Sequence, residues 1–213
     1  QSTAPGVQIR NVARVDFALS GIARSISSSE AIVTVQAAPS KASIEILRFS
    51  ATDANSTAGP TACAAGSGFV PLPAPQVAGV GGLNPLSVPL GDAPVVHAGD
   101  AVFVRLMDTD KNLDGARLDV IELRVAARGT GDSERLQLTE TGPNTGVFAG
   151  YIPSRLVAGA AGASANCALD LLRDTVIDAS YVDPTDATDI AQDSSLVDPS
   201  GLVFDSTSGA VVN

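Results

Sequence analysis

Oxygen-bearing side chains stand at every second position in Asp108-Thr109-Asp110-Lys111-Asn112-Leu113-Asp114-Gly115. A hard cation needs this kind of spacing. Calcium takes six to eight oxygens at about 2.3–2.6 Å, and a tight Gly-terminated turn delivers several from alternate residues. Counted from Asp110, the run Asp110-x-Asn112-x-Asp114-Gly115 matches the opening half of an EF-hand loop. The twelfth position, where a closing carboxylate belongs, is Ile121, and Glu122 comes one place late. Asp119, or a carboxylate from another loop, is the candidate replacement. The candidate calcium ligands are therefore Asp108, Asp110, Asn112, Asp114 and Asp119. The alternative is an Asx-rich turn whose side chains bond their own backbone between two strands. A second acidic run, containing Asp183, Asp186 and Asp189, reads as a solvated charge run.

Residue types for catalysis are sparse. His97 is the one histidine of the chain and sits beside a turn, so no Ser-His-Asp set is available without it. Neither G-x-S-x-G nor H-E-x-x-H occurs. Glu140, in Thr139-Glu140-Thr141-Gly142, is placed to order a hairpin by accepting backbone N–H groups. No pair of carboxylates stands out for glycoside chemistry, and with 4% aromatics and no Trp the chain lacks sugar-stacking platforms. The expectation is a protein that is not an enzyme. Asn55-Ser56-Thr57 fits the glycosylation sequon and reads as a chance match on a polar loop.

Cys63 and Cys167 lie too far apart for a Cys-x-x-Cys metal or redox pair. In an oxidising compartment they are candidates for a disulfide, and the alternative is two buried free thiols. Gln1-Ser2-Thr3-Ala4-Pro5-Gly6 has the look of a mature N-terminus left by signal-peptide removal, which favours a secreted protein. A net charge of −10 repels nucleic-acid phosphates and anionic membrane surfaces and favours divalent cations. No apolar run reaches membrane-spanning length.

The elements that must position these residues are strands. Apolar and polar residues alternate in short runs separated by Gly, Asp, Asn and Pro clusters, and no useful 3.6-residue period appears, so the chain reads as all-β and antiparallel. The first zone, 1–38, holds two or three strands within Val7–Val35 that need a partner sheet to bury enough area. The second, 39–182, carries strands at Ala42–Phe49, Ala101–Met107, Leu118–Ala127, Glu134–Thr139, Val147–Ile152 and Thr175–Val182. A long Gly/Pro/Ala/Ser stretch, 51–88, interrupts it, the kind of loop that is usually functional or mobile. The third, 183–213, reads as an acidic linker and the start of a further β unit, with the chain or its parent expected to continue past Asn213 or to be completed by another chain.

Gly99–Asn112, Leu118–Ala127 and Gly131–Ile152, the last containing Leu138-Thr139-Glu140-Thr141-Gly142-Pro143-Asn144-Thr145-Gly146-Val147-Phe148-Ala149-Gly150, resemble the tandem immunoglobulin-like modules of large secreted bacterial surface proteins. Tyr181-Val182-Asp183-Pro184 is similar to the way such modules end. Ser200–Val212 resembles the first strands of a carboxypeptidase-regulatory-like, or B-type, repeat. The resemblance implies an antiparallel immunoglobulin-like β-sandwich; the long irregular loop 51–88 departs from the compact module and leaves room for an inserted function, and extra strands are expected at both ends. It further implies a non-catalytic structural or adhesive role on a bacterial cell surface, stabilised by calcium if the acidic turn binds it. The implied partners are neighbouring modules, copies of the chain itself, or a host or matrix glycan or protein. A filament or appendage subunit joined by strand addition, and a carbohydrate-binding module, are the alternatives.

Overall fold

A computed structural model of the chain describes residues 3, 5–36, 38–159, 161–198, 203–204, 207–208 and 211–212. Ala37, Ser200, Gly201 and Leu202 from the sequence readings above lie outside the described residues, as do Gln1, Ser2, Ala4, Asp205, Ser206 and Asn213. Among those described there is no α-helix, and the expected all-β sandwich is what forms.

The N-terminal zone is one long hairpin of four strands. β1 (Gln8–Asn11) pairs with β4 (Ala31–Thr34), and β2 (Arg14–Leu19) pairs with β3 (Ile22–Ser27) across the Ser20-Gly21 turn. Ser20 and Gly21 both have φ near the left-handed region, at 53° and 80°, which a two-residue hairpin turn demands. Every residue from Gln8 to Thr34 is exposed. This arm packs against no second sheet.

The body begins with β5 (Ser43–Phe49). The stretch after it contains short strands: β6 (Asn55–Ser56), β7 (Ala62–Ala65), β8 (Gly68–Pro71), β9 (Gln76–Val77), β10 (Gly81–Gly82) and β11 (Val88–Asp92), followed by β12 (Val95–Val96). Then come the long strands β13 (Val102–Met107), β14 (Val120–Ala127), β15 (Asp132–Glu140) and β16 (Val147–Ile152). Short β17 (Ser154–Leu156) and β18 (Leu169–Leu171) precede β19 (Thr175–Val182) and β20 (Ile190–Val197), and β21 (Val203–Phe204) pairs with β22 (Val211–Val212).

The hydrogen-bonded path β12-β20-β19-β14-β15-β16-β13-β5-β11-β6 folds over on itself. β15 joins the two layers: most of its length pairs with β14, and its end, Thr139 and Glu140, pairs with Ala149 and Phe148 of β16. Between the layers lie Ile44, Ile46, Val104, Leu106, Leu123, Val125, Leu136, Leu138, Phe148 and Ile177, the alternate residues that period-two patterning assigns to one face. All ladders are antiparallel except two short pairs, β12 with β20 and β17 with β18.

The long stretch 51–88 is not a loose loop. It lies over the outer face of β5, β13 and β16 and closes a second apolar cluster in which Ala58 and Val88 cover Leu47, Phe103 and Tyr151. β13 is therefore buried on both faces, Val102, Phe103 and Val104 alike. Burial of each large side chain in this cluster is worth about 1.5–3 kcal/mol. Cys63 of β7 is bonded to Cys167, with Cα atoms 5.5 Å apart, and this disulfide ties the covering segment to the loop before β18. Beside it, fully buried Glu134 accepts the N–H groups of Asn166 and Cys167 at 3.0 and 3.2 Å. Those bonds hold Ala165 and Cys167 at positive φ, 60° and 66°, where an L-residue does not rest unaided. Burial pushes the Glu134 carboxyl above its ordinary range.

One strand departs from the expected boundaries. Residues 190–197, assigned to the third zone as linker, form β20 and pair with β19 along its whole length. In this strand Ile190 and Leu196 are exposed while Ala191, Ser195 and Val197 are buried, so apolar residues fall on both faces and no clean alternation marks the strand.

Reducing the disulfide, or replacing both cysteines by Ala, is expected to lower the unfolding free energy by about 4–5 kcal/mol, the loop-entropy value for a closed loop of roughly this length. Urea denaturation with and without reductant measures it.

Candidate metal centre

Asp108 leaves the end of β13 and is fully buried. Its own N–H bonds the carbonyl of Gly146 at 2.8 Å, which docks the β15–β16 hairpin beside it. Gly146 must be glycine there: its φ is +62°, and an added Cβ would come within 2.8 Å of the Thr109 Cα. Glu140 fixes that hairpin as its position implied. One carboxylate oxygen accepts the N–H groups of Thr145 and Gly146, both at 2.7 Å, and the other accepts Asp119 N–H at 3.2 Å.

After Asp108 a single 3-10 turn, Thr109–Lys111, swings Asp110 and Lys111 back toward it. The β19–β20 connection supplies the opposite wall. Its sequence, Asp183-Pro184-Thr185-Asp186-Ala187-Thr188-Asp189, makes two successive Asx-type turns. Asp183 accepts the N–H and hydroxyl of Thr185 at 2.6 and 2.8 Å, and Asp186 accepts those of Thr188 at 3.0 and 2.6 Å. The result turns Asp183 and Asp189 inward, at 2% and 3% exposure, and leaves Asp186 outside. The solvated-run reading therefore fails for Asp183 and Asp189. Backbone bonding within the turns folds the polar run over onto the sandwich.

Carboxylate oxygens of Asp108, Asp183 and Asp189 lie within 4.8 Å of one another. That is about the span of oxygens on opposite sides of a calcium ion held at roughly 2.4 Å. The donors are hard and buried, so the set fits a hard divalent cation. Two positive groups already face it: the exposed Lys41 ammonium lies 3.8 Å from Asp189 Oδ1, and the buried Lys111 ammonium sits closer. The Lys111 ammonium contacts Asp183 Oδ1 at 2.7 Å, Asp110 Oδ1 at 3.0 Å and the Thr185 hydroxyl at 2.6 Å. The Tyr181 hydroxyl donates to Asp108 Oδ2 at 3.0 Å. Asp110 and Asp183 thus share the Lys111 ammonium.

The same cluster clasps the segment that joins the arm to the body. Ser40 N–H donates to Asp110 Oδ2 at 3.0 Å, the Ser40 hydroxyl to Asp108 Oδ1 at 3.3 Å, and Ala42 N–H to both oxygens of Asp189 at 3.3 and 3.1 Å.

The five sequence candidates divide. Asp108 and Asp110 belong to the cluster. Asn112 instead donates to Asn144 Oδ1 at 2.8 Å, and its own Oδ1 is buried without a hydrogen bond. Asp114 accepts Ala116 N–H at 3.0 Å, and Asp119 braces the turn by accepting Leu113 and Asp114 N–H at 2.6 and 2.9 Å. Asp114 and Asp119 serve the backbone, as the Asx-turn alternative describes, while Asn112 ties the turn to the side chain of Asn144. Sequence reasoning missed Asp183 and Asp189 as inward-facing, and it missed Lys111, Tyr181 and Ser40 as their partners. The repeated Asp-x-Thr was the signal for the two turns, at Asp183 and Asp186, that fold this run over. His97, the single histidine, pairs through Nδ1 with Asp198 Oδ1 at 2.8 Å, apart from this cluster.

Charge sets the titration. Burial raises the Asp108 carboxyl, and Asp110 raises it further against the lowering hydrogen bond from Tyr181. Burial also opposes ionisation of Asp183, but the Lys111 ammonium and the Thr185 donors outweigh it, and the group falls from 3.8 to about 2. Burial lowers Lys111, and Asp183 and Asp110 reverse this to leave it raised. Tyr181 is pushed up by burial and the Asp108 charge.

No protein-family model matches the chain, and no curated protein matches it.

A depressed carboxylate stabilises the fold above its unfolded value, and that stability is lost as pH falls through its folded value. For Asp183 the loss runs from 3.8 down through about 2, and is worth about 2 kcal/mol. Asp170 and Asp178, lowered by Arg155 and Arg128, add to the same acid limb. Lys111→Met is expected to cost about 3–5 kcal/mol at neutral pH, because it strands buried carboxylates, and to remove the Asp183 share of the acid limb. Urea unfolding of both proteins from neutral pH down to about pH 2 checks sign and size.

Proposed function

We propose that the chain is a non-catalytic extracellular structural or adhesive module of a bacterial surface protein, stabilised by calcium at the Asp108–Asp183–Asp189 cluster. The observation that carries this reading is the position of the cluster. Three buried carboxylates with calcium-compatible spacing sit where the arm's linker enters the sandwich, at Ser40 and Ala42. A cation there would supply charge that stiffens the connection between two parts of a multi-part protein. Asp110 and the Lys111 ammonium border the same space, so the ion would share Asp183 with the lysine or displace it. The disulfide across the covering segment agrees with an oxidising compartment, and the resemblance of Gly99–Ile152 to secreted surface modules points the same way.

A second reading, a subunit that assembles with copies of itself by strand addition, is favoured by the uncovered arm. Isolated two-stranded ribbons are marginal in water, and one with a wholly exposed apolar face calls for a partner.

Calcium is expected to raise the melting temperature of the full chain and to give a saturable calorimetric signal, both abolished in Asp189→Asn. Equal melting in calcium and in EDTA, with no heat of binding, removes the metal from the proposal.

A further inference from the structure

The arm is amphipathic. Directly paired residues of an antiparallel ladder share a face, so Val15 with Ile26, Phe17 with Arg24, and Leu19 with Ile22 form one side of the β2–β3 ribbon. Five of those six are large and apolar, and they are exposed by 39–62%. The opposite side carries Arg14, Asp16, Ala18, Ala23, Ser25 and Ser27. The single charge on the apolar side, Arg24, has no ion-pair partner among the described residues. Among the described residues, neither outer edge of the ribbon has a strand partner.

The body has a matching acceptor. β14 and β19 pair only from Arg124 to Ala127; beyond that point Tyr181 and Val182 pair with β20 alone, and Val120–Leu123 pair with β15 alone. The strands splay, and a groove of about 560 Å³ opens between them, lined by Leu113, Val120, Glu122 and Val182. Leu113, Val120 and Val182 are large apolar residues more than half exposed. Asp119 O accepts Glu140 N–H, which fixes the phase of the β14–β15 ladder. In that phase the backbone N–H and C=O of Val120 and Glu122 point to the groove side, as those of Arg124 point to Ser180. No described strand pairs with them there. An apolar groove bordered by an unpaired strand edge is the site that strand addition uses.

The chain's own arm does not reach it. The arm is rooted beside Leu113, where Pro5 O accepts Gly115 N–H at 3.3 Å and a Cβ on Gly6 would come within 2.7 Å of Leu113 O. Nine residues separate Pro5 from Val15, about 30 Å of extended chain. Charge favours a second copy as the occupant. Arg10, Arg14 and Arg24 against Asp16 and Glu30 give the arm one net positive charge within a chain of −10, so the remainder stands at −11.

We infer that the apolar face of the β2–β3 ribbon of one copy docks by edge pairing in the β14–β19 groove of a second copy, with Phe17 against Val120 and Val182 and Arg24 at the rim, where Glu122 already pairs with Arg135 at 2.9 Å. This deepens the strand-addition reading above and rests on it. Each copy has one ribbon and one groove, so the contact is head-to-tail, and it extends with concentration unless the rotation between copies closes a ring.

Sedimentation velocity of the full chain over a concentration series tests this. The wild type is expected to grow with concentration. Phe17→Asp and Val120→Lys, both at exposed positions, are each expected to weaken association at least about tenfold with melting temperatures unchanged. Mixed one to one, the two variants are expected to form dimers that grow no further, because one keeps an intact groove and the other an intact ribbon. If Val120→Lys and Val182→Lys assemble like the wild type while Phe17→Asp does not, the groove assignment is overturned and assembly by another surface stands. A wild type that stays monomeric at every concentration overturns both.

Discussion

Compensation of buried negative charge at one end of the sandwich is the constraint on which the arrangement depends. Asp108, Asp110, Asp183 and Asp189 come from two separate connections, β13–β14 and β19–β20, and all face inward. Isolated carboxylates at that depth would neutralise or drive the loops apart. The Lys111 ammonium, the Tyr181 hydroxyl and the N–H groups of Ser40, Ala42 and Thr185 keep them together. The charge is held in an unequal balance, with one carboxyl raised by burial and another depressed by the lysine beside it. Everything attached to those loops, including the linker to the arm, inherits its position from that balance.

The rest of the body is built to need little beyond aliphatic packing. With no Trp and few aromatics, its two apolar clusters rely on Val, Leu and Ile, and the largest buried rings are Phe103, Phe148, Tyr151 and Tyr181. Phe103 and Tyr151 meet at 6.0 Å between ring centres under the covering segment. That segment supplies the second cluster's lid, and the disulfide holds the lid down. The two layers and the cover therefore share β13 as a common wall.

Much of this architecture was legible in the amino-acid order. Val102, Val104 and Leu106 alternate because one face of β13 is core, and Ile121, Leu123 and Val125 do so on β14 for the same reason. The turn at Glu140–Gly146 was readable from its Gly, Pro and Asn, since backbone geometry dictates residue type there. β20 was not legible, because polar Ser195 is buried while apolar Ile190 and Leu196 face water. The covering of 51–88 was hidden for a related reason: it is held by scattered contacts from Ala58 and Val88, not by a periodic face. At the acidic cluster half of the residues were visible. Asp108 and Asp110 lie in a dense local run. Asp183 and Asp189 are distant in sequence and resemble a hydrophilic linker until the Asx turns fold them in.

The clasp between the linker and the cluster has a mechanical consequence. A pull along the arm enters the body through residues 38–42, and the bonds of Ser40 to Asp108 and Asp110, and of Ala42 to Asp189, lie ahead of the first strand of the sandwich. Those few bonds precede the β5–β13 ladder along the chain, and they end on carboxylates whose charge Lys111 and protons balance. Loosening them by protonation would free residues 38–42 without breaking a single ladder bond of the sandwich.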